Sequence, residues 1–456
     1  MAADFLTDKQ TQNYGRYAAE PNEIQLARYF HLDERDLTFI NLRRGRHNRL
    51  GIALQLTTAR FLGTFLSDLM QIPPGVQFYV ARQLNIRYPE IISRYAQREN
   101  TRWEHHGLIR QHYSYHDFGD FPWSFRLKRL LYTRAWLSNE RPGLMFDFAT
   151  AWLLQNKVLL PAASTLTRVI GEIRERATRR LWRKLAALPN RWQTAQLAGL
   201  LEIPEGQRLS VMEHLKRGPV TISGPAFTEA LERYTRLRSL EFSCLNFTGL
   251  PAIQLRNLAR YAGMASVKYI SRMPEERRLA ILTAFVKAQE ISALDEAVDV
   301  LDMLILNITR EAKKTGQKKR LRTLKDLDRA ALLLARACAL LLDEDTADDL
   351  LRKTIFSSVS VARLAESVEK VNELARPQDT NFQDEMVEQY GRVRRFLPAL
   401  LRDLHFRAAP DGEHTLAAIH YLAELNGSKK RILDDAPEHI ISGPWKRLVY
   451  DADGRI

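Results

Sequence analysis

Residues 42–63 read L-R-R-G-R-H-N-R-L-G-I-A-L-Q-L-T-T-A-R-F-L-G. The second half places Leu50, Ala53, Leu54, Thr57 and Phe61 at i, i+3, i+4, i+7 and i+11, one stripe of an α-helix. Ile52, Leu56 and Leu62 make the opposite side apolar too, which predicts a helix buried along most of its length. Gly51 and Gly63 weaken a helix but let another backbone approach closely. The first half crowds Arg43, Arg44, Arg46, His47 and Arg49 around Gly45, at the helix end where backbone N–H groups lack partners. Cations about such an end make an anion site, and phosphate is the anion expected there.

Outward from this stretch the pattern stays helical. Residues 1–20 are polar and expected to be loosely held. Pro21-Asn22-Glu23 starts a short helix, and Asp33 caps a second that uses Leu37, Ile40 and Leu42. Gly45 should end that helix and Asn48 cap the long one. Three helices with short turns and arginines at the last turn suit a compact DNA-reading module; the plain alternative is a solvated arginine turn. Residues 76–113 repeat the theme. A helix from Val76 to Leu84 meets a tight turn at Asn85-Ile86, and the next carries Pro89 in its first turn and runs to about Arg98. Thr101-Arg102-Trp103-Glu104 has the form of a capping box opening another helix. Arg94, Arg98 and Arg102 would then stand where a DNA backbone or groove could meet them, or simply be surface arginines. His105, His106, His112 and His116 invite a zinc reading, yet no cysteine or H-E-x-x-H accompanies them, and no metal site is expected.

A turn-rich aromatic segment at 119–121 marks the first domain boundary. Helices are expected at 123–138, 142–157 and Ala163 to Leu188. The last sets Arg176, Arg180, Arg183 and Lys184 on one face, either a phosphate-tracking strip or a solvated face with ion pairs. Gly218-Pro219 and Gly224-Pro225 punctuate the middle, with Ser223 as a cap. Beyond residue 270, Ala280–Ile291, Leu294–Thr309 and Leu327–Leu342 are strongly apolar. Between the last two, Arg310 to Lys325 reads as a basic loop with helical shoulders broken at Thr315-Gly316-Gln317; it is either a disordered charge block or a clamp in which Lys318, Lys319 and Arg320 hold DNA backbone. The acids from Asp343 to Asp349 lack a calcium loop's glycine and terminal glutamate.

The totals agree with such a reading. A chain of 456 residues exceeds one core and suggests about three domains, here 1–118, 119–268 and 269–456. A net charge of +14 attracts polyanions, nucleic acid or an acidic membrane surface. Cys244 and Cys338, in apolar helical contexts, form no disulfide or metal framework. Asp4, Asp8 and Lys9 interrupt any signal-peptide core, and the apolar run Ala330–Leu342 is cut by Arg336 and too short to span a bilayer. A cytoplasmic, membrane-free setting is expected. No phosphate-cradling glycine loop, nucleophile elbow or alternating strand run is present to support catalysis, a small-molecule substrate or two-metal chemistry. The fold class expected is all-α.

R-G-x-H-N-R-L-G-x-A-x-Q-L at 44–56 resembles the N-terminal region of Tn-three family replicative transposases. So do V-x-x-Y-V-A-x-Q-L-x-I at 76–86, Y-x-x-R-x-x-T-R-x-x-H at 95–105, L-L-P-A at 159–162, R-L-R-T-L-K-D-L-D at 320–328, D-A-P near 435 and G-P-W-K at 443–446. The resemblance implies sequence-specific binding of double-stranded DNA, the transposon's terminal inverted repeat, by two helical modules. It implies linkage and homodimer contacts after residue 269. It also implies an Asp-Asp-Glu catalytic half beyond Ile456, where any magnesium would belong, so that this chain needs no cofactor. On both grounds the residues expected to meet DNA are Arg43, Arg44, Arg46, His47, Asn48 and Arg49, then Arg94, Arg98 and Arg102, with Arg176, Arg180, Arg183, Lys318, Lys319 and Arg320 on the backbone. Two rivals share the composition: a helical scaffold, which should show a repeat period that is not found, and an RNA-binding protein.

Overall fold

The computed structural model describes residues 5–97, 99–342, 347–374, 383–428 and 440. Among them every named element is helical, and the one strand-like feature is a bridge between His116 and Val158. The all-α class expected from the periodicities is the class found. The chain divides into two compact units interleaved along the sequence: Met1–Leu197 with Leu245–Phe285, and Ala198–Cys244 with Val286–Ile456.

The first unit is built around the helix Arg46–Leu62, in which every residue from Leu50 to Ala59 is buried. A helix with no wet face must satisfy its polar side chains internally. Gln55 donates to the Leu66 carbonyl at 2.8 Å and accepts from the Leu66 N–H at 3.2 Å. Thr57 bonds back to the Ala53 carbonyl at 2.9 Å, and the Thr58 hydroxyl meets that of Tyr17 at 2.9 Å. Phe30, Phe39, Ile40, Val80, Ile92 and Ile109 complete the surrounding core. Gly51 does permit a close approach, but by a ring rather than a backbone. A Cβ there would overlap Cγ of the fully buried Tyr95 and lie 2.6 Å from its Cδ1. The Tyr95 hydroxyl is hydrogen-bonded to His105 Nδ1 at 3.0 Å.

One buried ion pair ties the helices around this core. Asp36, fully buried on the helix Glu34–Asn41, receives two hydrogen bonds from Arg60 at 2.6 and 2.7 Å and one from the Tyr113 hydroxyl at 2.7 Å. Burial alone would raise the Asp36 pKa; these donors outweigh it and hold the carboxyl below its ordinary value. At the far end of the central helix Gly63 takes φ 73°, and its carbonyl accepts from the Leu160 N–H at 2.8 Å. A second core follows, formed by Trp123–Leu137, Pro142–Gln155 and Ala163–Ala186 through Leu127, Leu131, Met145, Leu153 and Ile170. From Phe5 onward the leading segment is not loose. Thr7 caps the helix Asp8–Asn13 with a full capping box, and Phe5, Leu6 and Tyr14 pack onto the second core. Three anchoring side chains suffice where average composition is polar.

In the second unit, Ser223 caps Gly224–Arg238, as its sequence context predicts. Phe227 meets Phe396 edge-on at 5.5 Å. Arg233 donates to the Leu215 carbonyl at 2.9 Å and to Gln289 at 2.7 Å, and pairs with Glu296. The sequence reading is corrected over Arg310 to Lys325. There is no loop, because a single helix, Glu275–Leu341, runs through it. The reason lies in a buried stripe, Ala293, Ala297, Val300, Leu304, Ile308 and Ala312, which reaches Gly316. The glycine sits on the packed side, while Lys313, Lys314 and Lys318 are exposed. Other local corrections follow the same rule that packing overrides local preference. Leu42 is 70% exposed, and Thr101 lies inside the helix Glu99–Tyr113 rather than capping it. Residues 343–346, and the D-A-P and G-P-W-K motifs, lie outside the described residues.

Two predictions concern the first core. Gly51→Ala drives a methyl into the Tyr95 ring and should lower stability by about 1–3 kcal/mol, the usual cost of overpacking. A urea midpoint unchanged from the parent would contradict the packing. The second concerns pH. Burial, with Arg43 adding to it at His105 and Arg102 at His106, pushes both imidazoles from 6.5 down to about 4. The unfolded chain therefore binds these protons first, so stability falls as pH drops from about 6.5 to about 4 and this contribution levels off below that. His106→Phe, which keeps a ring against Phe65, should flatten the slope of denaturation midpoint against pH in that window. An identical slope in the variant would show that His106 titrates normally.

Candidate nucleic-acid interface

The basic turn is a rigid object. Gly45 takes φ 87° and stands as the N-cap of Arg46–Leu62, so the helix begins ahead of Asn48. Asn48 is therefore not the cap. Its amide donates to the Arg44 carbonyl at 2.9 Å from inside the first turn. Gly45 offers no side chain to cap the first-turn N–H groups, which leaves that end electropositive. Arg49 serves the fold: Nε donates to the Arg43 carbonyl at 2.9 Å and a terminal nitrogen to that of Asn41 at 3.3 Å. Arg43 lies half-buried with its guanidinium 5.4 Å from the Phe39 ring centroid. His47 is half-buried, and its ring lies where a side chain on Gly45 would have to go. Arg44 and Arg46 are exposed. The six expected residues thus come together, in two groups. Arg43, Asn48 and Arg49 shape the turn with the half-buried His47 ring beside Gly45, and Arg44 and Arg46 stand out from it.

The second group of expected residues divides similarly. Arg94 is exposed on Ile92–Ala96. Arg102 is not offered to solvent: its side chain is 17% exposed, donates to the Ser67 carbonyl at 2.5 Å and pairs with Glu99 at 3.4 Å. Arg98 lies outside the described residues. The helix start that was expected at Thr101 is at Glu99, which turns Arg102 inward against the loop carrying Ser67.

Arg176, Arg180 and Arg183 are exposed on Ala163–Ala186, at i, i+4 and i+7. Arg180 is held by the Tyr132 hydroxyl at 3.1 Å and lies 5.0 Å from the Trp136 ring centroid, with Lys184 at 6.0 Å from the same ring. Arg183 approaches Glu276 at 3.9 Å. Arg168 and Arg179 form i,i+4 pairs with Glu172 and Glu175, so part of this helix is the ordinary ion-paired surface. In the other unit Lys318 is exposed, whereas Lys319 pairs with Glu388 at 2.7 Å and Glu385 at 3.6 Å. The Arg320 side chain lies outside the described residues.

The histidines are scattered among rings. His106 stacks on Phe65 at 4.1 Å, His112 on Phe39 at 4.6 Å and His116 on Trp123 at 4.9 Å. Among the described residues no three His, Cys, Asp or Glu side chains converge as metal ligands, and no helix is long and apolar enough to cross a membrane. Sequence reasoning missed the partners that immobilise these cations, Tyr132 and Trp136 above all. No local signal could have found them, since Tyr132 is 48 positions from Arg180.

Known proteins share this architecture's sequence. Residues 5–173, which span the first two hydrophobic cores of the first unit, match the family described as "Domain of unknown function (DUF4158)". Over 456 residues, all of it, the chain is 80% identical to the transposase for transposon gamma-delta of Escherichia coli (strain K12), covering 46% of that protein. It is 28% identical to the transposase for transposon Tn1546 of Enterococcus faecium, across 99% of this chain and 45% of the relative. With the transposase for transposon Tn501 of Pseudomonas aeruginosa it shares 28% identity, across 96% of this chain and 44% of the relative. The chain spans less than half the length of each of these relatives. In sequence, the arginine turn, the helix it heads and the cores behind it thus match the N-terminal portion of the Tn-three family transposases.

Proposed function

We propose that this chain is the DNA-recognition part of a transposase and binds the terminal inverted repeats of a transposon as duplex. One observation carries the reading. A helix N-terminus without a side-chain cap is presented by a turn that Arg49 and Asn48 hold rigid, with the exposed Arg44 and Arg46 able to reach outward. Such an end binds phosphate through its N–H groups and dipole, and flexible arginines beside it can fix register or reach base edges. The strip of Arg176, Arg180 and Arg183 supplies further backbone contact, and the net charge of +14 supplies attraction at a distance. DNA transposition is the activity that the relatives' names carry to this chain. The division into 1–118, 119–268 and 269–456 belongs to the same proposal, as does a homodimer formed by the last section. The first hydrophobic core closing at Tyr113 supports the first boundary.

The turn makes a separable prediction. Arg44→Ala with Arg46→Ala should weaken binding to end duplex and reduce the salt slope by about one for each phosphate no longer neutralised, with stability unchanged. Arg49→Ala should instead destabilise the fold by about 1–3 kcal/mol, because two carbonyls are deprived of a charged donor. Fluorescence anisotropy across a salt series, paired with urea denaturation, reads both. Intact affinity and slope in the double variant would remove the turn from the interface. Equal affinity of the parent chain for end and random duplex would remove sequence recognition, and preference for RNA over duplex would replace DNA as the partner.

The long helix makes another. Lys318→Ala should weaken all duplexes alike, because a phosphate contact carries no sequence information directly. The ratio of specific to random affinity should hold constant; a marked change in that ratio would mean that Lys318 reads bases.

A further inference from the structure

A cavity of about 220 Å³ opens in the first unit between the helices Trp123–Leu137, Ala163–Ala186, Ala252–Met264 and the start of Glu275–Leu341. Its walls include Trp136, Trp182 and Tyr261, with Asn139, Asn257 and Arg277 between them. Two features set it apart from a packing gap. The Trp182 indole N–H and the Arg277 Nε–H are both buried, and neither has a hydrogen-bond partner among the described residues. Buried donors left without an acceptor are costly; both are closed off from solvent behind the cavity wall, so a ligand that brings acceptors meets them only when the Trp182 or Arg277 side chain turns toward it. The guanidinium of Arg277 is also flanked by rings, 5.0 Å from that of Trp182 and 5.9 Å from that of Tyr261. The cavity is therefore a flat-walled one with unmet donors and amide side chains at its edge.

We propose that this cavity receives a single nucleobase splayed out of the bound DNA. Three observations converge on a base rather than a bare anion. The walls are indole and phenol rings, on which a flat heterocycle stacks and a phosphate does not. The unpaired groups just behind the wall are donors, which a small side-chain turn would bring to the ring nitrogens and carbonyl oxygens that a base exposes once it is unpaired. The volume is also larger than one phosphate group fills. The place is suitable too. Trp136, one wall, carries Arg180 and Lys184 against its ring, so a DNA backbone following that basic helix face would pass the cavity mouth. This inference rests on the DNA-binding reading, but it is tested apart from it.

The test has two arms. In the first, thymidine and deoxyguanosine monophosphates are titrated into the purified chain, with inorganic phosphate as a parallel probe, following tryptophan fluorescence. Saturable quenching by a nucleotide, at least about tenfold tighter than any response to phosphate, is expected. Trp182→Phe keeps an aromatic ring but removes the donor and part of the stacking area, and should weaken the nucleotide about tenfold. Thr178→Phe, at an exposed position on the cavity's lining, should block it without touching the core. In the second arm, 2-aminopurine is placed at successive positions of end duplex. Emission should change on binding at one position with the parent chain and at none with Thr178→Phe. Equal response to phosphate and nucleotide would make the cavity an anion site and overturn the proposal. No saturable response would leave the two donors to water and overturn it equally. Free nucleotide binding with no responsive duplex position would overturn the splayed base. Duplex affinity is measured alongside: if it persists while these results fail, only the cavity proposal falls, and if it is absent in the parent chain, the DNA-binding reading falls first.

Discussion

The first unit depends on burying one helix on every side. From Leu50 to Ala59 every residue of the helix Arg46–Leu62 is buried, which is unusual for a segment containing a glutamine and two threonines. The arrangement holds because each polar group has a definite partner and because Gly51 leaves room for Tyr95. A larger residue at 51 would force the ring away, and with it the Tyr95–His105 hydrogen bond that fixes the next helix. The position of the basic turn is a consequence. The turn leads into a helix whose body cannot move, so its N-terminal groups are presented at a fixed place.

Arginine does two jobs in this protein, and the structure separates them. Arg60 is an internal strut. Its bidentate contact with the fully buried Asp36, completed by Tyr113, satisfies a charge that would otherwise be strongly destabilising in a core. Arg49, Arg102 and Arg233 likewise direct their donors at backbone carbonyls, a use that suits the planar five-donor guanidinium better than a lysine. Arg44, Arg46 and Arg94, by contrast, stand exposed. A high arginine count is therefore a poor measure of how many cations meet a polyanion. Burial and partners decide which ones can.

What could be read in the sequence follows the range of the interactions. The buried helix, the caps at Asp33 and Ser223 and the helices from 123 to 186 rest on periodicity or on neighbours within four residues, and they were legible. The continuous helix through Arg310 to Lys325 was not, because its local signals, a glycine and a run of like charges, argue for a break. The packed stripe from Ala293 to Ala312 overrides them, and only tertiary structure shows that it is packed. Thr101 misled for a related reason: a capping box needs a free helix start, and the chain had already become helical at Glu99. The candidate interface was legible as a cluster and illegible in its parts. That Arg43, Asn48 and Arg49 brace the turn while Arg44 and Arg46 leave it depends on carbonyls whose direction no spacing rule gives.

That division also shapes what the turn can discriminate. Cations crowded at a helix end repel one another and the dipole there, so the cluster raises the energy of the free chain, most of all at low salt. Anchoring Arg43 and Arg49 limits how far the turn can relax by swinging its charges apart. The repulsion is then relieved chiefly by an anion that arrives between them. A flexible cluster would accept phosphates in many registers. A braced one accepts them in few, and under the proposed function that fixed orientation is what would let Arg44 and Arg46 meet base edges. The buried helix and the fixed geometry of its exposed end are in this sense one property: the end holds its orientation because the body behind it is packed on every side.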